Sequence, residues 1–365
     1  MFWSKNSIIE KISKISNTLD DISADIFCGV NTDNEYLHKL SFSEEKSSVP
    51  SYRCMGLNKE IKLENELVYP FIDSASSNEY AVHPSPYCFM LPYEIKDGSL
   101  KKGCRLFEPE ELKARYPLTY DRITKFKNNF KHDFTPLSSA DYGVQGCKLL
   151  KYINTPKIIV SDSYSFQASF DADGNYIFEK GCGIVLQDPS RYFYVLAALN
   201  SSISRVFSEI CQNDRIYNGN LTPGILKNFP VAFPEEKSLE NLVSTLSSYL
   251  TYIHSQIYRT ASPDISEGED YELLKFYERI VNLLVLDTYF TKDLDPRFLE
   301  ILEENVVPLG NYGKSGFPGL EGAGCSMGRL QDIKQKILDT PDFGKCRFNS
   351  EFTNILATLK NNGVW

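Results

Sequence analysis

The sequence predicts an α+β chain: a twisted, mostly antiparallel β-rich part with inserted helices, followed by a helical C-terminal part. Up to about residue 232, apolar residues come in short runs bounded by Gly, Pro, Asn and Asp. Beyond Pro234 they recur at helical spacing over long stretches. With 42% hydrophobic and 24% charged residues, the 365-residue chain can build a sizeable core and falls outside the disordered class.

Residues 7–24 open as an amphipathic helix, because Ile8, Ile9, Ile12 and Ile15 alternate with Lys11 and Lys14. Residues 25–33 read as a strand entering a Gly/Asn/Asp turn. The apolar runs at 67–69, 87–91, 157–160 and 183–186 read as further strands. Residues 170–176 read as a hairpin, with Asp173-Gly174 supplying the positive-φ turn. Residues 108–115 form a helix with Pro109 in its first turn, where a missing N–H costs nothing.

Residues 119–131 form a basic amphipathic helix with Ile123, Phe126 and Phe130 on one side. Residues 191–212 give two helices meeting near Asn200-Ser201-Ser202. In the tail, Leu239, Leu242, Val243, Leu246, Leu250, Ile253 and Ile257 follow the helical period. Further helices are predicted over 271–289, around 298–302, and within 329–362. Residues 309–328 hold seven glycines and read as a linker or loop. The predicted units are a β-rich unit over 1–232, an acidic helical unit over 233–308, the glycine stretch 309–328 and a helical segment over 329–365.

A net charge of −9 argues against indiscriminate coating of nucleic acid. No apolar run approaches the roughly 20 residues of a membrane helix, and the N-terminus lacks a signal-peptide pattern, so a cytoplasmic protein with no membrane partner is expected. Nine scattered cysteines without a CxxC pair read as reduced thiols. None of the four histidines has metal-ligand spacing to another His or Cys, so no metal site is predicted. A phosphate-cradling GxxxxGK[ST] loop, a GxGxxG fingerprint and a GxSxG elbow are all missing, and no catalytic residue is assigned. Asn228-Phe229-Pro230-Val231 only echoes the NPP[Y/F/W] run of amino-methyltransferases. Glu60-Ile61-Lys62, Glu94-Ile95-Lys96 and Asp332-Ile333-Lys334 supply short nuclease-like strings.

Charge is unevenly shared. Residues 111–160 hold nine Lys/Arg against four acids, a net of +5, whereas residues 235–310 hold six against fifteen, a net of −9. In the basic segment, Arg115, Lys125, Lys127 and Lys131 are interleaved with Tyr116, Tyr120, Asn128 and Asn129. Such cations neutralise phosphates, while Asn, Gln and Tyr read base edges. The candidate DNA-binding residues are Arg115, Tyr120, Lys125, Lys127, Asn128, Lys131, Tyr142, Gln145, Lys148 and Lys151, chosen by charge and position.

The order of motifs resembles the TaqI-like C-terminal specificity domain of adenine-N6 DNA methyltransferases and type IIG restriction enzymes. The matching pieces begin with the run from Leu19 through Asp25-Ile26-Phe27-Cys28-Gly29-Val30 to Asn34. Leu91-Pro92-Tyr93 and Tyr116-Pro117-Leu118-Thr119-Tyr120 follow. Next come Thr155-Pro156-Lys157-Ile158-Ile159-Val160 and Ala168-Ser169-Phe170-Asp171-Ala172-Asp173-Gly174. The last are Leu196-Ala197-Ala198-Leu199-Asn200-Ser201-Ser202, Leu226-Lys227-Asn228-Phe229-Pro230-Val231 and the apolar helix from Phe276 to Phe290. The most specific pair is the Leu-Asn-Ser turn and, some thirty residues on, the Lys-Asn-Phe-Pro string.

The resemblance implies a target-recognition module that binds double-stranded DNA for a separate methyltransferase or restriction subunit. The catalytic domain that precedes this module in the family is missing from the sequence. No cofactor is therefore expected in this chain; S-adenosylmethionine, and Mg²⁺ for cleavage, belong to the partner. Two other readings stand beside it: a metal-dependent endonuclease using Glu94 and Lys96, and a protein-interaction module using the acidic tail.

Overall fold

The computed structural model describes residues 5–42, 51–54, 60–72, 79–83, 85–95, 104–131, 133–144, 148–161, 166–213, 221–257, 268–290, 294–308, 326–346 and 350–361. The fold is α+β. In the first sheet, Ser23–Cys28, Cys182–Leu186, Lys157–Val160, Ala168–Asp171 and Tyr80–Ala81 lie side by side in that order. In the second, the order is Ile177–Phe178, Val68–Ile72, Tyr87–Met90, Lys39–Phe42, Ser51–Cys54 and Glu60–Lys62. Tyr93–Glu94 and Arg105–Leu106 form a separate pair. Pairing is antiparallel except at one edge of each sheet, where Ala168–Asp171 runs parallel to Tyr80–Ala81 and Ile177–Phe178 parallel to Val68–Ile72.

The alternation of side chains along each strand builds layers. Ile158, Val160, Ile184 and Leu186 of the first sheet face helices, in a core shared with Leu196, Val243, Tyr277 and Leu284. Ile159, Val185 and Phe27 face the opposite way, onto Phe71 and Phe89 of the second sheet and the adjoining Leu91. The far side of the second sheet, through Leu40, Cys88 and Met90, meets Leu112, Ile123 and Phe126. These come from the helices Pro109–Arg115 and Pro117–Phe130. The first sheet is thus covered on both faces. That is why 157–160 and 182–186 are continuously buried rather than alternating with exposed residues.

Most predicted elements are present. The N-terminal helix is Lys5–Ser13, with a separate short helix Leu19–Ile22. The pair near Asn200 is Tyr192–Leu199 and Ser202–Asn213, and the tail contains Lys237–Ile257, Glu269–Phe290, Pro296–Asn305, Met327–Asp339 and Ser350–Asn361. Val231 and Leu242, on either side of residue 232, are members of one hydrophobic core. Residues 309–325 of the glycine stretch lie outside the described residues.

The predicted hairpin at 170–176 is not one. Gly174 does take a positive φ of 72°, but the strands on either side of the turn belong to different sheets. The turn is a sheet-to-sheet crossing, held by Asp171, whose carboxylate accepts the N–H groups of Gly174 (2.8 Å) and Tyr176 (3.1 Å). A side chain on Gly174 would run into the backbone of Thr155 at 2.3 Å. Gly29 likewise permits close approach, since a Cβ there would sit 2.2 Å from the Phe178 carbonyl oxygen. That carbonyl accepts the Val30 N–H at 2.8 Å.

The two most specific strings of the resemblance are packing devices in this fold. The Asn200 amide grips the strand Ala168–Asp171, accepting from Ala168 N (2.9 Å) and donating to Ala168 O (2.8 Å). Ser202 is tied to the tail through Asn282. Phe229-Pro230-Val231 is a seam. The Phe229 carbonyl accepts Leu19 N–H (2.8 Å), Val231 N–H donates to Asn17 O (2.9 Å), and the Tyr289 hydroxyl donates to Pro230 O (2.8 Å).

Candidate nucleic-acid interface

The helix Pro117–Phe130 starts with proline at its first turn, and its free N–H groups are capped from elsewhere in the chain. The Glu64 carboxylate accepts from Leu118 N (2.8 Å), Thr119 N (3.0 Å) and the Thr119 hydroxyl (2.7 Å). A carboxylate at a helix N-terminus is also favoured by the helix dipole. Ile123 and Phe126 bury one face, leaving Asp121, Lys125 and Asn129 exposed. Between this helix and the strand Glu60–Lys62 runs a groove of about 740 Å³, bordered by Lys62, Arg122, Lys125 and Asn129.

The ten candidate residues divide. Arg115, Lys125, Lys131, Lys148 and Lys151 are exposed; Tyr120 and Asn128 are half-buried; Gln145 lies outside the described residues. Lys127 and Tyr142 are buried. Lys127 is only 4% exposed, and its ammonium is held by Asp141 (2.8 Å), Asp133 (3.3 Å) and the Pro136 carbonyl (3.1 Å). The hydrogen bond to Asp141 raises its pKa above the ordinary lysine value. It therefore pins the segment after the helix. Tyr142 is fully buried and donates to the Phe107 carbonyl at 2.6 Å.

The exposed cations stand in two groups. Arg115, Lys125 and Lys131 belong to the helical layer over the second sheet. Lys148 and Lys151 belong to the 3-10 turn Lys148–Tyr152, whose Leu149, Leu150 and Tyr152 are buried. There Lys148 pairs with Asp25 (2.9 Å), and the Tyr152 hydroxyl donates to the same carboxylate (3.0 Å). Lys125 pairs with Asp121 (2.5 Å) and Arg115 with Glu111 (3.2 Å). Arg115 also lies over the rings of Phe107 and Tyr116. Of the nine cations counted in 111–160, Arg122, Lys127 and Lys157 are buried and six remain at the surface.

The nuclease-like pair does not form a described site. Glu94 is engaged by Arg105 (3.3 Å), which also grips Glu111 (2.7 Å), and Lys96 lies outside the described residues. Arg105 draws the Glu111 carboxyl down to about 2.

Sequence reasoning missed a different cluster. Glu79, His254 and Glu278 each bring one ligand-type atom within 4.8 Å of the others. They come from the edge of the first sheet and from two tail helices. No local spacing signals them, because proximity arises only when the helices pack on the sheet.

No protein-family model matches this chain. No curated protein matches it either. Among solved structures, it is similar to the type IIL restriction-modification enzyme MmeI in complex with DNA, with a TM-score of 0.42 and 10% sequence identity. That alignment covers 88% of this chain and 36% of the enzyme, so the chain spans about a third of its length.

Proposed function

We propose that this chain is the DNA target-recognition module of a restriction-modification or related phage-defence system, of the TaqI-like specificity type. It binds duplex DNA on behalf of a separate adenine-N6 methyltransferase. That partner supplies the S-adenosylmethionine chemistry, and a Mg²⁺-dependent nuclease acts where the system also cleaves.

One observation carries the reading. Six cations of the 111–160 segment remain at the surface of the β-rich part, while the acidic surplus of the chain resides in the C-terminal helices. A chain of net charge −9 thus keeps its positive surface where a polyanion is to be met. The ion pairs of Lys125 and Arg115 do not oppose this. Exposed pairs of this kind are worth about 0–1 kcal/mol, so exchanging a carboxylate for a DNA phosphate is nearly free. Asn128 and Asn129, on the same helix, have the donor and acceptor pair that reads adenine in the major groove.

The test is selection from a random duplex pool, using the full chain alone and with its methyltransferase partner. Enrichment of one short sequence is the predicted outcome. Retention of no duplex in either setting contradicts the proposal.

A further inference from the structure

The geometry points to a divalent transition-metal site formed by Glu79, His254 and Glu278, which we propose as a centre separate from the DNA-facing surface. Glu79 directly precedes the edge strand Tyr80–Ala81. Tyr80 takes a φ of +64°, and the Ala81 N–H donates to the Glu79 carbonyl at 2.8 Å, closing a three-residue bend. The Tyr80 ring is buried and tilted against His254, with centroids 5.5 Å apart. His254 lies on the helix Lys237–Ile257 and Glu278 on the helix Glu269–Phe290.

His254 is 4% exposed. Its Nε2 lies 3.7 Å from Glu278 Oε1. That is longer than a direct hydrogen bond, and within a few tenths of an ångström of the roughly 3.4 Å between two ligands that each stand about 2.1 Å from one tetrahedral ion. The other oxygen of Glu278 accepts from Lys275 at 2.7 Å. Such an outer contact fixes the orientation of a ligating carboxylate.

One imidazole with two carboxylates suits Mn²⁺ or Zn²⁺ better than Ca²⁺ or Mg²⁺, whose sites are built from oxygens alone. Three protein ligands leave a coordination position open. A polar cavity of about 390 Å³ adjoins the cluster, with Arg205, Lys275 and Arg279 in its wall. These cations would meet an anionic ligand on the open side of the ion.

The test titrates the full chain, stripped with a chelator, with Mn²⁺ followed by electron paramagnetic resonance, and with Zn²⁺ followed by calorimetry. No DNA is present. One ion per chain is expected, with affinity falling about 100-fold or more in His254→Gln and Glu278→Gln. Far-UV circular dichroism verifies that each variant folds. Glu79→Gln, at a half-buried position ahead of the edge strand, supplies the third variant and carries the test should either helix variant fail to fold. Absence of saturable binding of either ion overturns the proposal, as does binding that survives unchanged in the folded variants.

Discussion

The Lys157 ammonium lies 2.7 Å from the Asp171 carboxylate, and both side chains are essentially fully buried between neighbouring strands. Lys157 also donates to the Gly174 carbonyl at 2.5 Å, while Asp171 caps the N–H groups of the same turn. The pair therefore locks the point where the chain passes from one sheet to the other. Removing one partner leaves an uncompensated buried charge. Lys157→Met and Asp171→Leu should each lower unfolding free energy by about 3–5 kcal/mol, and the double variant by less than the sum. Urea denaturation of the four proteins measures this. Losses under 1 kcal/mol in the single variants would contradict the assignment.

His38 sits fully buried against Phe89, with its ring Nδ1 2.7 Å from the Met90 carbonyl. Burial lowers its pKa from 6.5 to about 4, and the nearby Arg122 charge acts in the same direction. His83 is likewise lowered to about 4, mainly by burial. Both are neutral when folded and take up a proton on unfolding below pH 6.5. Their contribution is present above that pH and is lost as pH falls towards 4. From pH 6.5 to 5, His38 alone should remove about 1.6 kcal/mol. Urea midpoints across this range measure the loss. A flat profile would show that the histidines are not held neutral.

Cys28 and Cys182 face each other across adjacent strands. A hydrogen bond from Cys182 lowers the exposed Cys28 thiol to about 7, whereas burial pushes Cys88 up to about 12. Thiolate is the reactive form. Iodoacetamide should therefore modify Cys28 with a rate midpoint near pH 7 and leave Cys88 untouched until the protein unfolds. Peptide mapping by mass spectrometry separates the two. Equal labelling of both in the folded protein would be inconsistent with this geometry.

Much of the fold is legible in the residues. The apolar runs at 157–160 and 183–186 announce strands but not their cover on both faces, and the period of Leu242, Leu246 and Ile253 announces a helix but not that residues 246–254 are buried all round. Asp173-Gly174 announces a positive φ at Gly174 but not the destination of the next strand. That is set by Lys157, Asp171 and Thr155, which the turn meets only after folding.

The candidate surface was partly legible for the same reason. Charge and spacing identify Lys125 and Lys131. They do not distinguish Lys127, two residues beyond Lys125, which turns inward to Asp141. Glu79, His254 and Glu278 gave no signal, since 175 and 199 positions separate the first from the other two.

The salt dependence of duplex binding addresses the central claim most directly. It is measured by fluorescence anisotropy for the full chain with the proposed methyltransferase partner, and again with Lys125, Lys131, Lys148 and Lys151 changed to Gln. Affinity should fall steeply with salt, and the fourfold variant should have a shallower slope, by about 0.9 for each phosphate contact removed. Binding unaffected by the four substitutions, or absent at low salt, would contradict it.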